Sequence, residues 1–221
     1  AQCLVGSEMC IRDSNWSVHK KDDYIWWTER FRQAFEWYDV VRVDHFRGFD
    51  RYYEIDAGEE TAIKGKWKQG PKYELFQTVE NKLGKLNIIA EDLGSLDKGV
   101  YRLMDETGYP GMKVMEFAFD GNKNNPYLPK NIKENSVCYT GTHDNDTLLG
   151  YINKLKGREY RNFKNSLEEA LKDADIAYPL QNKKETAQAI LYLTMKSKAF
   201  LAVLPIQDIF CLLYTSPSPR D

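Results

Sequence analysis

The chain has 221 residues, 42% of them hydrophobic, which is enough to bury a substantial core in a globular protein. Its 31 basic and 33 acidic side chains give a formal net charge of -2, so no basic excess points to nucleic acid as a partner. The longest apolar stretches, such as 199–206, are much shorter than a membrane span, and the N-terminus lacks the apolar core of a secretory signal.

Both ends of the chain resemble translated sequencing adapters. Residues 3–14 match an in-frame translation of a transposon-type adapter, and residues 211–221 match a translation of its opposite strand. We therefore interpret 1–14 and 211–221 as non-native tails and 15–210 as the natural segment, cut from a longer sequence; the alternative is a pair of ordinary tails. The tails hold three of the four cysteines, so only Cys138 remains, which predicts no disulfide framework and a cytoplasmic location.

Between the tails, predicted helices and strands alternate. Apolar side chains three or four positions apart, and glycines that end the stripes, predict helices at 22–38, around 75–83, and at 98–107, 157–174 and 184–198. Short apolar runs predict strands at 38–44, 86–90, 112–119, 136–140 and 200–205. The polar segments 57–72 and 121–135 are predicted loops.

Strands that are buried on both faces and separated by helices indicate parallel βα units. A closed barrel of such units needs about eight strands, whereas five are predicted here. The expected fold class is therefore α/β, a partial (β/α)8 TIM barrel made of about five C-terminal βα units, strands 4 to 8.

Three of the predicted strands end on an acidic residue. Asp44 follows the first, Glu91 the second and Asp144 the fourth. A (β/α) barrel presents its catalytic groups at the C-terminal ends of its strands. Paired carboxylates in such a place favour glycosidic-bond chemistry, in which one attacks and another donates a proton.

Each acid of the first two strands also has a purely structural interpretation. Arg42 and Asp44 share one strand face, where the guanidinium would keep the carboxylate ionised for attack. The same two residues would also occur in a buried ion pair that only ties the strand end to its loop. Glu91 follows an apolar run whose low dielectric would raise its pKa and make it a proton donor; alternatively it is a helix cap or loop residue. His45 alone is equally typical of a buried core histidine.

The fourth strand leads into a polar turn. His143 is placed to donate a hydrogen bond to a sugar hydroxyl, and Asp144 to face a developing positive charge. The structural alternative is a turn whose helix cap is Asn145 or Asp146. Trp67 lies in the predicted 57–72 loop, where an exposed ring would offer a stacking surface for glucose.

Taken together, these segments resemble the 4-α-glucanotransferases, also called amylomaltases or disproportionating enzymes, of glycoside hydrolase family 77. The likeness covers nearly all of residues 15–210. The motifs that carry it are Tyr24-Ile25-Trp26-Trp27, Arg42-Val43-Asp44-His45-Phe46-Arg47-Gly48-Phe49, Gly65-Lys66-Trp67, Gly70-Pro71, Ala90-Glu91-Asp92-Leu93-Gly94, Tyr109-Pro110-Gly111-Met112-Lys113, Thr140-Gly141-Thr142-His143-Asp144-Asn145-Asp146 and Leu204-Pro205-Ile206-Gln207-Asp208.

The resemblance implies a retaining transfer of α-1,4-glucan segments between maltodextrins. It makes Asp44 the nucleophile, Glu91 the general acid/base and Asp144 the stabiliser of the transition state. The implied substrate-binding residues are Arg42, His45, Trp67 and His143. No cofactor, metal or obligate protein partner is implied, and the partner is a maltooligosaccharide or other α-glucan.

Family members begin before residue 15 and continue beyond residue 208, so we expect this polypeptide to be inactive alone. Two other enzymes fit parts of the pattern: an α-amylase-type hydrolase or branching enzyme, and a metal-dependent barrel hydrolase. The candidate ligands in the metal case are Asp44, His45, Glu91, His143 and Asp144. A non-catalytic glucan-binding fragment is the alternative outside enzymology.

Overall fold

The structure is a computed structural model that describes residues 15–56, 58, 61–94 and 96–213. The chain divides into two compact units, one ending at Gly111 and the other beginning at Met112. The predicted N-terminal tail lies outside the described residues, as does the C-terminal tail from residue 214 onward. Among the described residues, five strands form the main sheet and two more form a separate sheet.

In the part of the first unit that the structure describes there are four helices and the first four strands. Its helices are α1 (Trp16–Lys21), α2 (Ile25–Trp37), α3 (Lys72–Leu83) and α4 (Lys98–Thr107). Its strands are β1 (Val41–Val43), the antiparallel pair β2 (Arg51–Glu54) and β3 (Lys66–Gln69), and β4 (Ile88–Ala90). Strands β1 and β4 are parallel neighbours in which Val43 lies opposite Ala90.

Aromatic rings fill the core of the first unit. Phe76 on α3 is fully buried, and its ring lies 5.1 to 6.4 Å from those of Phe31, Phe46, Phe49 and Tyr109. Such offset and edge-on pairs add to the free energy of apolar burial. Phe46 and Phe49 belong to the segment that follows β1, so their packing in this core fixes the position of that segment.

The Phe76→Ala variant is expected to lower the free energy of unfolding by about 3–5 kcal/mol, because it leaves a cavity among packed rings. Chemical denaturation of the 221-residue chain measures this change. Tyr101→Ala is the matched control, since the Tyr101 side chain is 55% exposed on α4; it should shift stability by less than about 0.5 kcal/mol. Equal losses in both variants would contradict the packing described here.

The remaining strands and helices belong to the second unit. It contains β6 (Ser136–Tyr139), β7 (Leu201–Val203) and most of β5 (Gly111–Val114), with helices α5 (Leu148–Lys154), α6 (Gly157–Asp173), α7 (Lys183–Lys196) and α8 (Ile206–Ile209). Strand β6 is buried along its whole length and runs parallel to β7, with Tyr139 opposite Val203. The core under it comes mainly from α6 and α7, whose buried residues include Phe163, Leu167, Ile190 and Leu193.

The strand order of the main sheet is β1-β4-β5-β6-β7. Its five strands and most of the helices confirm the sequence prediction, but several details were wrong, and the short elements α1, β2 and α8 were not predicted. The strand predicted at 112–119 ends at Val114, because residues Met115–Phe117 form a 3-10 turn that buries Met115 and Glu116. The predicted loop 57–72 contains β3, which the sequence concealed because all four of its residues are exposed. Helix α5 was missed since it has only seven residues.

No helix in the part of the chain that the structure describes has the length and apolar character needed to cross a membrane.

Candidate active site

The first two predicted acids lie at adjacent strand ends. Val43 and Ala90 are the last residues of β1 and β4, and they are partners in the parallel register. Asp44 and Glu91 come directly after them, so both carboxyl groups belong to the same edge of the sheet. Backbone hydrogen bonds continue past the strands, from Glu91 N to Val43 O at 2.9 Å and from Phe46 N to Glu91 O at 3.1 Å.

The Glu91 side chain is held by two backbone amides. The N–H of His45 donates to Oε2 at 2.9 Å, and the N–H of Leu93 donates to Oε1 at 2.8 Å. Burial raises the pKa of Glu91; the two amides oppose this, and the charges of Asp44 and Asp92 add to it. The net direction is upward, which is the direction predicted from the apolar run before Glu91 and the one that a proton donor needs.

Asp44 is open to solvent. Its side chain is 72% exposed, and its Oδ1 lies 3.8 Å from Nη2 of Arg42. The predicted pairing of Arg42 with Asp44 is thus present, but the alternative of a buried structural pair is wrong. An exposed pair at this distance contributes little to stability, so its geometry suits a carboxylate that has to meet a ligand.

His45 has an unusual backbone. It adopts the left-handed conformation with φ of 48°, which is uncommon for a residue with a Cβ. This conformation turns the chain from β1 into the 3-10 segment Phe46–Phe49 and aims the His45 N–H at Glu91. Burial and the nearby Arg47 lower the pKa of the imidazole, while Asp44 raises it to a smaller extent, so the neutral form of His45 is favoured.

Trp67 lies on β3 rather than in a loop, and 52% of its side chain is exposed. Two guanidinium groups lie over its ring: Cζ of Arg47 is 4.8 Å from the ring centre and Cζ of Arg51 is 5.3 Å from it. Tyr53 on β2 meets the same ring edge-on at 5.3 Å. The indole is therefore held in a fixed orientation by cation–π and edge contacts.

Asp97 orients the two arginines and was missed by the sequence analysis. Its Oδ2 accepts hydrogen bonds from Nε of Arg51 at 2.8 Å and from Nη2 of Arg47 at 3.4 Å. The hydrogen bond from Arg51 is the main reason why the pKa of Asp97 is lowered. The only signal in the sequence was that Asp97 precedes a helix, and Asp97 is indeed the N-cap of α4, with Oδ1 accepting from Gly99 N at 2.9 Å.

In the second unit, residues 141–147 connect β6 to α5 and are called the Asp144 loop. Oδ1 of Asn145 accepts from the N–H and the hydroxyl of Thr142, at 2.9 and 2.8 Å. His143 and Asp144 at its tip are 69% and 81% exposed, with 3.4 Å between Nε2 and Oδ1. Thr147 is the helix cap, accepting from Gly150 N at 3.1 Å, so the alternative of a cap at Asn145 or Asp146 is wrong.

Two buried carboxyl groups flank the base of the Asp144 loop. Asp208 is 2% exposed and accepts from the Thr140 hydroxyl at 2.5 Å and from Leu148 N at 2.7 Å, so it binds both ends of the loop. Glu116 is 4% exposed, and its pKa is raised to about 8, chiefly by burial and next by the charge of Asp208. Neither residue was assigned a role from its sequence context, although the position of Glu116 within the apolar run 112–119 was a visible signal.

The structure thus brings together Arg42, Asp44, His45 and Glu91 in the first unit, and it places His143 and Asp144 side by side in the second. Convergence of the three acids around one sugar ring stays a prediction. Within the described ranges, no three His, Cys, Asp or Glu side chains come together in a way that would hold a metal ion.

A model of the family described as 4-alpha-glucanotransferase, glycoside hydrolase family 77, matches residues 13–218. The 4-alpha-glucanotransferase of Streptococcus pneumoniae is 42% identical over 196 residues, which are 88% of this chain and 37% of that protein. The 4-alpha-glucanotransferase of Thermus thermophilus is 41% identical over 199 residues, 89% of this chain and 39% of that protein.

Solved structures agree with these relatives. The amylomaltase of Streptococcus agalactiae, solved in complex with acarbose, superposes with a TM-score of 0.81 at 35% identity, covering 94% of this chain and 40% of that one. The match confirms the predicted α/β fold as part of a (β/α)8 barrel. The chain spans between 37% and 40% of the length of these relatives. The family match over nearly the whole chain shows that this protein belongs to the 4-alpha-glucanotransferases, glycoside hydrolase family 77.

Proposed function

We propose that this chain carries the catalytic acids of a 4-alpha-glucanotransferase that moves α-1,4-glucan segments between maltodextrins. The observation that carries the proposal is the pairing at the β1 and β4 ends: an exposed carboxylate, Asp44, beside a half-buried glutamate, Glu91, whose pKa is raised. A glutamate whose pKa is raised, next to an exposed carboxylate, is the arrangement that acid-catalysed glycosyl transfer requires.

The proposed reaction has two displacements. Asp44 attacks the anomeric carbon and forms a glucosyl ester, while protonated Glu91 gives its proton to the departing glycosidic oxygen. Glu91, now ionised, takes the proton from the 4-hydroxyl of an acceptor glucan, whose oxygen attacks the ester and releases Asp44. Two inversions retain the anomeric configuration, and the two carboxyl groups of such a pair lie about 5–5.5 Å apart. Asp144 stabilises the positive charge that develops on the sugar ring.

The raised pKa of Glu91 makes this cycle possible near neutral pH. An exposed glutamate, with a pKa near 4.3, would be almost wholly ionised at pH 7 and a poor proton donor. Burial favours the protonated form of Glu91, while the amides of His45 and Leu93 keep the ionised form accessible for the second step. One side chain can then serve as acid and as base in turn.

The proposed substrate is a neutral maltooligosaccharide. Arg42 and His143 are assigned to holding the nucleophile and the reactive sugar, His45 to the same subsite, and Trp67 to stacking against a glucose ring. The Streptococcus agalactiae amylomaltase was solved with acarbose, which supports an oligosaccharide ligand for this family fold. We also propose a cytoplasmic location, with which a free, buried Cys138 is compatible.

A hybrid enzyme tests the proposal. Residues 15–210 replace the aligned stretch of the Thermus thermophilus relative, and the purified hybrid is incubated with maltotriose. Release of glucose together with maltodextrins longer than maltotriose is the expected result. Reducing ends without lengthened products would favour an α-amylase-type hydrolase, and binding of maltotriose in calorimetry without turnover would favour a glucan-binding module. The sequence predicts that the 221-residue chain alone gives no turnover.

Trp67→Ala in the hybrid enzyme is expected to raise KM for maltotriose about tenfold, equivalent to ~1.4 kcal/mol of lost binding, with a smaller change in kcat. Initial rates over a range of maltotriose concentrations separate the two constants. Trp26→Ala is the matched control, because Trp26 is also half-exposed and also lies under an arginine, with Cζ of Arg30 5.2 Å from its ring centre. An unchanged KM in Trp67→Ala would remove Trp67 from the proposed subsites.

A further inference from the structure

We propose that Glu116 is a positioning residue for the Asp144 loop, which it holds in place only while its carboxyl group carries a proton, so that its ionisation sets an upper pH limit for glucan transfer. The catalytic part of this inference rests on the proposed function. The positioning part concerns the second unit alone and can be measured without turnover.

Glu116 packs directly against the first residue of the loop. Its backbone N–H donates to Thr140 O at 3.2 Å, which fixes it beside the end of β6. Its Oε1 lies 3.5 Å from the position that a Cβ of Gly141 would occupy, so the carboxyl group packs beside this glycine at van der Waals range. Among the described residues, no hydrogen-bond partner reaches this buried Oε1.

Asp208 is the second buried carboxyl group at the base of the Asp144 loop. It is almost fully buried and receives hydrogen bonds from Thr140 and Leu148, the residues just before and just after the loop. These two bonds satisfy both of its oxygens and fix the span of the loop. The Asp144 loop therefore has one buried carboxyl group that is fully hydrogen-bonded and a second one, Glu116, that is not.

The charges around Glu116 come from three elements. Asp208 on α8 and Asp146 in the loop both disfavour its ionisation, after the larger effect of burial. A side-chain hydrogen bond with Asn145 in the loop and the charge of Lys154 on α5 lower the pKa of Glu116 to a smaller extent. Lys154 also pairs with Asp146 at 2.5 Å. Burial, and next the charge of Glu116, raise the pKa of Tyr151 on α5, so this hydroxyl also faces Glu116. The outcome is a Glu116 pKa of about 8, so the group is protonated at neutral pH.

Ionisation would put a buried charge next to two carboxyl groups. Such a charge is costly unless it is hydrated or paired, and the adjoining loop is the element that can move to admit water. Asn145 links the two events, because it faces Glu116 and also accepts both hydrogen bonds that shape the loop around Thr142. Loss of this geometry displaces Asp144 at the loop tip.

The first test uses the 221-residue chain and needs no catalysis. A glutamate whose pKa is higher in the folded than in the unfolded state contributes stability that is complete at low pH and is lost as pH rises through the folded value. The melting temperature should therefore fall between about pH 5 and pH 8 more steeply in the parent chain than in Glu116→Gln. Glu168→Gln, which removes a half-exposed glutamate of α6, is the matched control and should keep the parent's slope.

Amide NMR of the same chain reports directly on the Asp144 loop. The amide signals of Thr142 and Asp144 should titrate with a midpoint near pH 8 in the parent and in Glu168→Gln, but not in Glu116→Gln. If Glu116→Gln does not fold, Glu116→Met supplies a second uncharged side chain of similar length. Loop signals that titrate identically in the parent and in a folded Glu116 variant would overturn the positioning role.

The hybrid enzyme tests the catalytic consequence. With a midpoint of about 8, roughly a tenth of Glu116 remains protonated at pH 9, so the ratio of kcat at pH 9 to kcat at pH 7 should be about tenfold larger in Glu116→Gln than in the parent hybrid. KM should change much less. If kcat declines at alkaline pH to the same extent in Glu116→Gln and in the parent hybrid, the pH limit is overturned while the proposed function stays intact. A folded hybrid without transfer at any pH would overturn the proposed function, and with it the pH limit, and NMR would still decide the positioning role.

Discussion

Replacing Asp44 by asparagine in the hybrid enzyme is expected to lower kcat/KM for maltotriose by a factor on the order of 10^4. Asparagine keeps the size of the side chain but cannot form the glucosyl ester, so the covalent route is closed. Disproportionation of maltotriose, followed by separation of the products, measures the loss. Asp39→Asn is the matched control, because Asp39 is an exposed aspartate just before β1; its activity should stay close to that of the parent.

A second variant distinguishes the loss of a nucleophile from a general disturbance of the site. Asp44→Gly leaves room for a small anion, and added azide should then attack the anomeric carbon in its place. One displacement inverts where two retain, so the product should be a β-glycosyl azide. An α-azide, or no rescue by azide together with full transfer activity, would exclude Asp44 as the nucleophile.

Replacing Glu91 by glutamine is expected to lower kcat for maltotriose by about 10^2 to 10^4-fold, the usual contribution of general acid–base catalysis. Glutamine can accept the same two backbone hydrogen bonds from His45 and Leu93 only through its single carbonyl oxygen, and it has no proton to donate. Glu91→Gln should therefore slow both displacements on maltotriose. Glu36→Gln, on the exposed face of α2, serves as the matched control.

The leaving group reveals which step has lost its acid. Fluoride departs without protonation, so formation of the glucosyl ester from α-maltosyl fluoride should be nearly as fast in Glu91→Gln as in the parent hybrid. Fluoride release that stops after one turnover would then show that the second step is slow. Equal losses on maltotriose and on the first turnover of the fluoride would contradict the assignment of Glu91 as the acid.

The paired acids at the β1 and β4 ends could be predicted from the sequence because they depend on local rules. An apolar run predicts a buried strand, parallel strands share an edge, and residues that follow them must meet there. Asp44 and Glu91 satisfy this argument through the register of Val43 with Ala90. The upward direction of the Glu91 pKa followed from the same apolar run.

Features that depend on distant partners could not be predicted in this way. Strand β3 has the sequence Lys66-Trp67-Lys68-Gln69 with all four residues exposed, so no buried apolar face marks it. Its pairing with β2 defines it. The alternation around Glu116 fitted a longer strand equally well, and its burial depends on the base of the Asp144 loop and on Asp208. Asp97 gave only the signal of a helix cap, although its main partner, Arg51, is 46 positions away.

The contact between the His45 amide and Glu91 is made by main chain, so it is indifferent to which side chain stands at position 45. A substitution that tolerates the positive φ would change the electrostatics around the acid and the proposed sugar contact of position 45, while the anchoring of Glu91 persists. Proline is the exception: it has no N–H to donate, and its ring excludes the positive φ found at this residue.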